Sequence, residues 1–250
     1  MNKPKLRTVS KVKPPYSLGK FPKDFIFNVG REIVYILATR VKPTIEGRVW
    51  ERIFAGAIKA KWKPSNVGLD DVVLGTFAWG AKTVKNSKPH KVEKVRLISG
   101  RNSLKYSFGE ATLNADPQIL GKQVLEIWNA RVEAVRNKFS SLRTVVLIKP
   151  QNFSDVEVLN FTVFETETFL YPPDRYTWQW NKNENLEGRE NKTALHRFTW
   201  QPHGSQFTVI EEIPSSKICF KVKRPQPIDH DITLKALGFD HSWIEIVKDL

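Results

Sequence analysis

Asp71 and Lys82 lie on two strand-like segments joined by a tight turn. The first is Gly68–Leu74 (GLDDVVL), the second is Phe77–Lys85 (FAWGAKTVK), and Gly75-Thr76 is the turn between them. Alternation along the second segment puts Ala78, Gly80, Lys82 and Val84 on one face, with Phe77, Trp79, Ala81 and Thr83 on the other. Lys82 is therefore a cation inside a mostly apolar strand, where an unpaired ammonium is costly to bury. Asp71 is a suitable partner, and two readings of the pair stand. One is an ion pair at the end of a sheet. The other is a metal held by Asp71, with Lys82 holding a water or a phosphate beside it. That second arrangement is the chemistry of phosphodiester hydrolysis. A divalent cation neutralises the phosphate and lowers the pKa of a bound water. Carboxylates bind Mg²⁺ with several waters retained, and a lysine stabilises developing negative charge.

The elements that must position this pair are legible in outline. Thr44–Ile58 reads as a helix, with Thr44 as a cap and Ile45, Val49, Ile53 and Ala57 recurring every four residues. Trp50, Phe54 and Ile58 widen that face, and Glu51 falls at its edge. Pro64, Ser65 and Asn66 break the chain before the hairpin. A third strand is expected at Val92–Ile98, and a helix from Asp116-Pro117 to about Phe139. Arg143–Ile148 (RTVVLI) reads as a buried central strand. Phe25–Thr39 is an apolar element of ambiguous type, because Gly30 weakens a helix. Beyond Val156 strands dominate: 158–168, 176–180, 198–200, 207–213 and 217–222, with a short helix at Thr233–Leu237 ending at Gly238. The stretch 181–194, rich in Asn, Lys and Glu, reads as an exposed loop. The class is α/β, a mixed sheet between helices.

Composition narrows the partner. The chain has 250 residues and a formal charge of +14. Residues 1–23 carry Lys3, Lys5, Arg7, Lys11, Lys13, Lys20 and Lys23 and no acid, and read as an extended basic arm. A second basic block runs from Lys82 to Lys105. Such blocks suit a polyanion such as nucleic acid; a generic solvated basic surface is the bland alternative. No apolar run approaches a membrane span, no signal-peptide core is visible, and the lone Cys219 excludes an intrachain disulfide. A buried, inert thiol is expected for Cys219, and the cytoplasm is the expected compartment.

The sequence resembles the PD-(D/E)XK nuclease superfamily. Asp71 followed by Gly80-Ala81-Lys82 fits its metal-binding aspartate and its (D/E)-X-lysine signature on successive strands. Gly47-Arg48-Val49-Trp50-Glu51-Arg52 looks like the first-helix G-x-x-x-E-R of archaeal-type resolvases. The resemblance covers about residues 44–148. It implies a restriction-endonuclease-like αβββαβ core over 24–150, after an N-terminal arm (1–23). The strand-rich region 151–250 is expected to belong to the same domain and to recognise DNA. It implies Mg²⁺ as cofactor, with Asp71, Glu51 and the Ala81 carbonyl as ligands and Asp71, Glu51 and Lys82 as catalytic residues. Gly80 departs from the pattern, which has a carboxylate there. Glu51 is the favoured replacement. Asp70 or Glu46 are alternatives, as is an inactive site.

Contacts to DNA are expected from Lys85, from the turn Ser99–Ser103, and from the stretch Phe198–Phe207. Arg101 can pair with guanine and Asn102 with adenine, or both can merely hold phosphate. Gln201, His203 and Gln206 are polar groups between Trp200 and Phe207. Tyr176–Trp180 alternates aromatic and polar residues, which suits a core face better than base stacking. The resulting expectation is a sequence-specific type II restriction endonuclease acting on double-stranded DNA as a homodimer. The rivals are a resolvase, nicking or repair nuclease of the same superfamily, a non-catalytic DNA binder with a degenerate core, and metal-independent base excision using His203.

Overall fold

The computed structural model describes residues 13–65, 67–109, 115–153 and 156–246. Most of the basic arm and Asn66 of the expected chain break lie outside them. The helices are α1 (Phe25–Thr39), α2 (Gly47–Ala57), α3 (Leu104–Phe108), α4 (Pro117–Arg136) and α5 (His230–Ala236). The strands are β1 (Lys61–Trp62), β2 (Val72–Leu74), β3 (Phe77–Asn86), β4 (Lys94–Arg101), β5 (Ser141–Pro150) and β6 (Val158–Glu167). Then follow β7 (Tyr176–Trp180), β8 (Leu186–Glu190), β9 (His196–Gln201), β10 (Gln206–Glu212) and β11 (Ile218–Lys223).

Two sheets form. The first has the order β1-β2-β3-β5-β6-β11 and is mixed, since only β3 and β5 run parallel. The second, antiparallel throughout, has the order β4-β10-β9-β8-β7. The fold is thus α/β with a mixed sheet, as the sequence suggested. α1 and α2 bury Phe25, Ile33, Trp50 and Phe54 against Trp79, Val145, Leu147 and Phe161 on one face of the first sheet. On its other face α4 fills the space toward the second sheet, packing Val124, Trp128 and Val132 with Ala78, Leu142, Phe198 and Phe207.

The helix faces follow the apolar periodicity. In α2 the buried residues are Trp50, Ile53, Phe54, Ala55 and Ala57. Thr44 does not cap the helix: its hydroxyl donates to Glu46 Oε1 at 2.7 Å, and Glu46 holds the cap position. α1 is a helix despite Gly30. Its buried side is Phe25, Val29, Ile33, Ile36 and Leu37, and Gly30 lies where a methyl group would meet nothing. α4 starts as expected, with Asp116 Oδ1 accepting from Gln118 N at 2.6 Å and Pro117 in the first turn.

Three expectations need correction. The strand over 92–98 does not join the β2–β3 hairpin. It is β4, the edge of the second sheet, and two-residue β1 takes the place beside β2. The stretch 181–194 is not all loop: β8 pairs with both β7 and β9, with Leu186 fully buried. Cys219 lies on strand β11 as read, but it is exposed. The region after residue 150 contributes to both sheets. β6 and β11 complete the first sheet, while β4, from the first half of the chain, belongs to the second. No helix among the described residues is long and apolar enough to cross a membrane.

A buried charge cluster fixes the frame. Glu165 on β6 and Arg143 on β5 pair at 3.3 Å, with side chains 0% and 6% exposed. Glu165 also accepts from Trp79 Nε1 at 2.5 Å, Tyr16 OH at 3.2 Å and Gly19 N at 3.0 Å. Residues 16–19 of the basic arm are thereby tied to β3, β5 and β6. Lys149, 1% exposed at the far end of β5, donates to Ile45 O at 2.5 Å and to Glu46 Oε1 at 3.2 Å, which fixes the start of α2.

Candidate active site

Residues 63–65 follow β1, and residues 68–69 lie over the middle of β3 at Gly80. The segment is held by Lys63 N to Asp71 O at 2.8 Å and by Ser65 N to Asp71 Oδ1 at 3.4 Å. Lys82 reaches this cover from below, its Nζ donating to Gly68 O at 2.9 Å. Arg131 of α4 supports the same cover by donating to Val67 O. Glu51 enters from α2, where its Oε2 accepts from Trp62 Nε1 of β1 at 3.0 Å. Asp71, Lys82 and Glu51 come from three different parts of the chain, and both carboxylates are near enough to act on the lysine's charge.

The ammonium of Lys82 is satisfied by a carbonyl rather than by Asp71, so a simple ion pair is not what holds it. Burial pushes the lysine's pKa down, Asp71 opposes that shift, and the Arg131 guanidinium adds to it. Asp71 is buried, and burial raises its carboxyl to about 6. Lys82 pulls it down, the Glu51 charge pushes it up, and the backbone N–H groups of Ser65 and Ala81 favour the ionised form. Any chemistry that needs the Asp71 carboxylate should therefore be lost as pH falls through about 6. The linkage to stability has the opposite sense. A folded-state pKa above the unfolded value means that Asp71 favours unfolding increasingly as pH rises from about 4 to about 6. A bound cation would remove that penalty. The expected result is a Mg²⁺-induced rise in Tm that is larger at pH 8 than at pH 5 and absent in Asp71→Asn. Thermal scans with and without Mg²⁺ measure it.

Mg²⁺ is bound by one or two carboxylates with most of its waters kept. Asp71 and Glu51 are the two carboxylates whose charges act on Lys82. Ala81 turns its N–H toward Asp71, and a strand residue's N–H and C=O share an edge, so its carbonyl lies on the same side. Among the described residues no three His, Cys, Asp or Glu side chains form a closed protein cage. Asp70 is buried beside Asp71, and its Oδ1 has no hydrogen-bond partner. A buried acceptor left bare costs about 1–3 kcal/mol, which a cation or water would offset. Carboxylates and a backbone carbonyl are the donor types with which Mg²⁺ is held when it keeps most of its waters.

Gly80 is explained by close approach. A Cβ there would lie 3.2 Å from both Gly68 O and Leu69 Cα. The cover segment occupies the space that a carboxylate on this strand would need. Gly80→Asp is therefore expected to displace residues 68–69 and lower stability by about 1–3 kcal/mol. It should not create a better site, and urea unfolding together with DNA cleavage checks both statements.

A basic cleft of about 330 Å³ opens beside Lys82. Lys85, Arg96, Lys149 and Glu46 line it together with Ile98 of β4. Lys85 is exposed, 3.9 Å from Glu46. Arg101, Gln206 and Gln201 face one another on the adjacent strands β4, β10 and β9. His203 is exposed in the turn that joins the last two. These four side chains make no hydrogen bond to the described residues.

Asn102 is different and corrects the expectation of an adenine contact. It is fully buried, donating to Val124 O at 2.9 Å and accepting from Arg131 Nη1 at 3.2 Å. Its backbone binds Ser205 O at 2.8 Å and Trp200 Nε1 at 2.9 Å. It is a structural hub between α4, the second sheet and Arg131. Tyr176 and Trp178 are core residues, as their alternation suggested.

Two residues at the site escaped sequence reading. Arg131 sits on the polar edge of α4, where nothing separates it from a solvated arginine. Trp62, which holds Glu51, lies on a strand too short to show alternation.

Family models, curated proteins and solved structures give no match to this chain.

Proposed function

We propose that the protein is a Mg²⁺-dependent DNA endonuclease and, within that class, a sequence-specific type II restriction endonuclease. The observation that supports the reading is that the charges of Asp71 and Glu51 both act on Lys82, which lines a basic cleft. Asp71, Glu51 and the Ala81 carbonyl would hold the ion, which supplies charge neutralisation and a more acidic bound water. Lys82 spends one of its three N–H donors on Gly68 O and keeps two for the attacking water and the phosphate. Lys85 and Arg96 would hold flanking phosphates, while Arg101, Gln201, His203 and Gln206 would face the groove. Ile98 and Arg101 are three residues apart on β4, roughly 10 Å. That is a fitting reach from a scissile phosphate to a base edge. Two copies about a two-fold axis would serve the two strands of a duplex.

The test is incubation of plasmid and linear duplex DNA with the protein in Mg²⁺ or in EDTA. Discrete fragments in Mg²⁺ alone are expected. Cleavage that persists in EDTA would remove the metal mechanism. Cleavage of branched DNA only would move the reading to a resolvase. One observation favours a second reading, a non-catalytic DNA binder: Gly80 stands where the superfamily pattern has an acid. That reading requires salt-dependent DNA binding with no cleavage under any divalent cation.

A further inference from the structure

Residues 226–246 are locally well specified and yet none of them is buried. Asp229 caps α5, its Oδ1 accepting from Ile232 N at 2.8 Å. Gly238, at φ +72°, stops the helix, and Phe239 N returns to Leu234 O at 3.0 Å. Asp240 Oδ1 then accepts from Ser242 N at 2.6 Å, and the Phe239 and Trp243 rings meet edge-on at 5.8 Å. No residue of this arm is buried. Ile228, Ile232, Leu237, Trp243, Ile244 and Ile246 are all more than half exposed, Ile246 at 81%. A helix of seven residues does not hold itself in water, and six large apolar side chains exposed within nineteen residues mark an interaction surface.

Its charge says what it fits. Asp229, Asp231, Asp240 and Glu245 against Lys235 give the arm a net charge of −3 in a chain of +14. The complementary surface lies on the same molecule. The outward stripe of α1 is Phe27, Arg31, Val34 and Tyr35, at helical spacing, with Phe27 80% and Tyr35 64% exposed. Lys23, Arg31, Arg40 and Lys42 outnumber Asp24 and Glu32 around it, a net +2. The arm leaves the body next to this helix, with Ile228 N bound to Ala38 O at 2.8 Å.

We propose that the arm of one copy lies across the outer face of α1 of a second copy, and the reverse, forming a two-fold dimer. Both patches are exposed in the same chain, and the arm is rooted beside α1. An isologous contact needs that arrangement, since each copy must offer both halves. The acidic arm meets the basic helix, and Trp243, Ile232 and Leu237 meet Phe27, Val34 and Tyr35. The inference does not depend on whether the protein cuts DNA.

The test is sedimentation equilibrium of the full chain at micromolar concentration, with two surface double variants. Wild type should show twice the chain mass of 28.8 kDa. Ile232→Glu/Trp243→Glu and Phe27→Glu/Tyr35→Glu should each weaken the dimer about thirty-fold or more. Both should keep the β-sheet circular dichroism signal and a single cooperative unfolding transition of the folded body, because the replaced side chains are exposed, with at most a small loss of helical signal from the freed arm. A monomeric wild type overturns the proposal, as does a dimer unaffected by the arm variant. Loss of the dimer in the arm variant but not in the α1 variant overturns the assigned seat. Plasmid cleavage, read separately, reports on the nuclease assignment alone.

Discussion

Lys82→Ala should reduce Mg²⁺-dependent cleavage of duplex DNA by about 10³-fold, in the range of losses seen when one transition-state donor is removed. The reasoning is geometric. The ammonium already has a ground-state partner in Gly68 O, so the protons that remain are those available to the reacting groups. DNA affinity should fall far less, because Lys85 and Arg96 still line the cleft. Loss of the Gly68 contact will also loosen the cover segment, so stability must be measured beside rate. Asp71→Asn separates the two effects: it keeps the shape, removes the charge, and should abolish both cleavage and the Mg²⁺-induced rise in Tm. Single-turnover rates within tenfold of wild type in either variant would remove these residues from the chemistry. A Lys82→Ala chain that is less stable but fully active would make the lysine a structural pin for residues 67–69.

The largest stability effect is expected at Glu165. Glu165→Ala strands Arg143, which is 6% exposed on its side chain, and removes the acceptor of Trp79 Nε1, Tyr16 OH and Gly19 N. Breaking one partner of a buried pair costs about 3–5 kcal/mol. For a chain of this length that lowers Tm on the order of 10 °C. The double variant Glu165→Leu/Arg143→Met should be less destabilised than Glu165→Ala, because no bare charge remains. Urea unfolding of the variants gives the comparison. Equal losses in the single and the double variant would show that packing, not the charge, is what Glu165 provides.

What was legible in the sequence depended on how local the signal was. The β2–β3 hairpin is a two-residue turn between alternating strands, and its register, Val72 against Trp79, follows from neighbours in the chain. α2 and α4 declare themselves by a repeated apolar stripe. β4 shows the limit. A strand was expected there, and Val95 and Leu97 are its buried side, but a strand's pattern names its face and not its partner. The partner, β10, is about a hundred residues away and could not be read. Asn102 failed for a related reason. In a Ser-Gly-Arg-Asn-Ser turn an asparagine looks exposed, and only the arrival of α4 and β9 makes it the most buried polar residue of the region. Gly80 was visible as a departure from the superfamily pattern, while its cause, the backbone of residues 68–69 overhead, was not.

The parallel pairing of β3 with β5 has a temporal side. Every partner in that ladder, from Phe77 with Ser141 to Asn86 with Pro150, is 64 positions away along the chain. The strand that carries Lys82 cannot be locked until the ribosome has released β5. In the interval β3 has only the three residues of β2 to pair with, leaving its other edge open. High contact order of this kind makes folding slow. A nascent chain would thus hold its lysine and aspartate in a loose hairpin, chemically idle, until translation has moved well past residue 150.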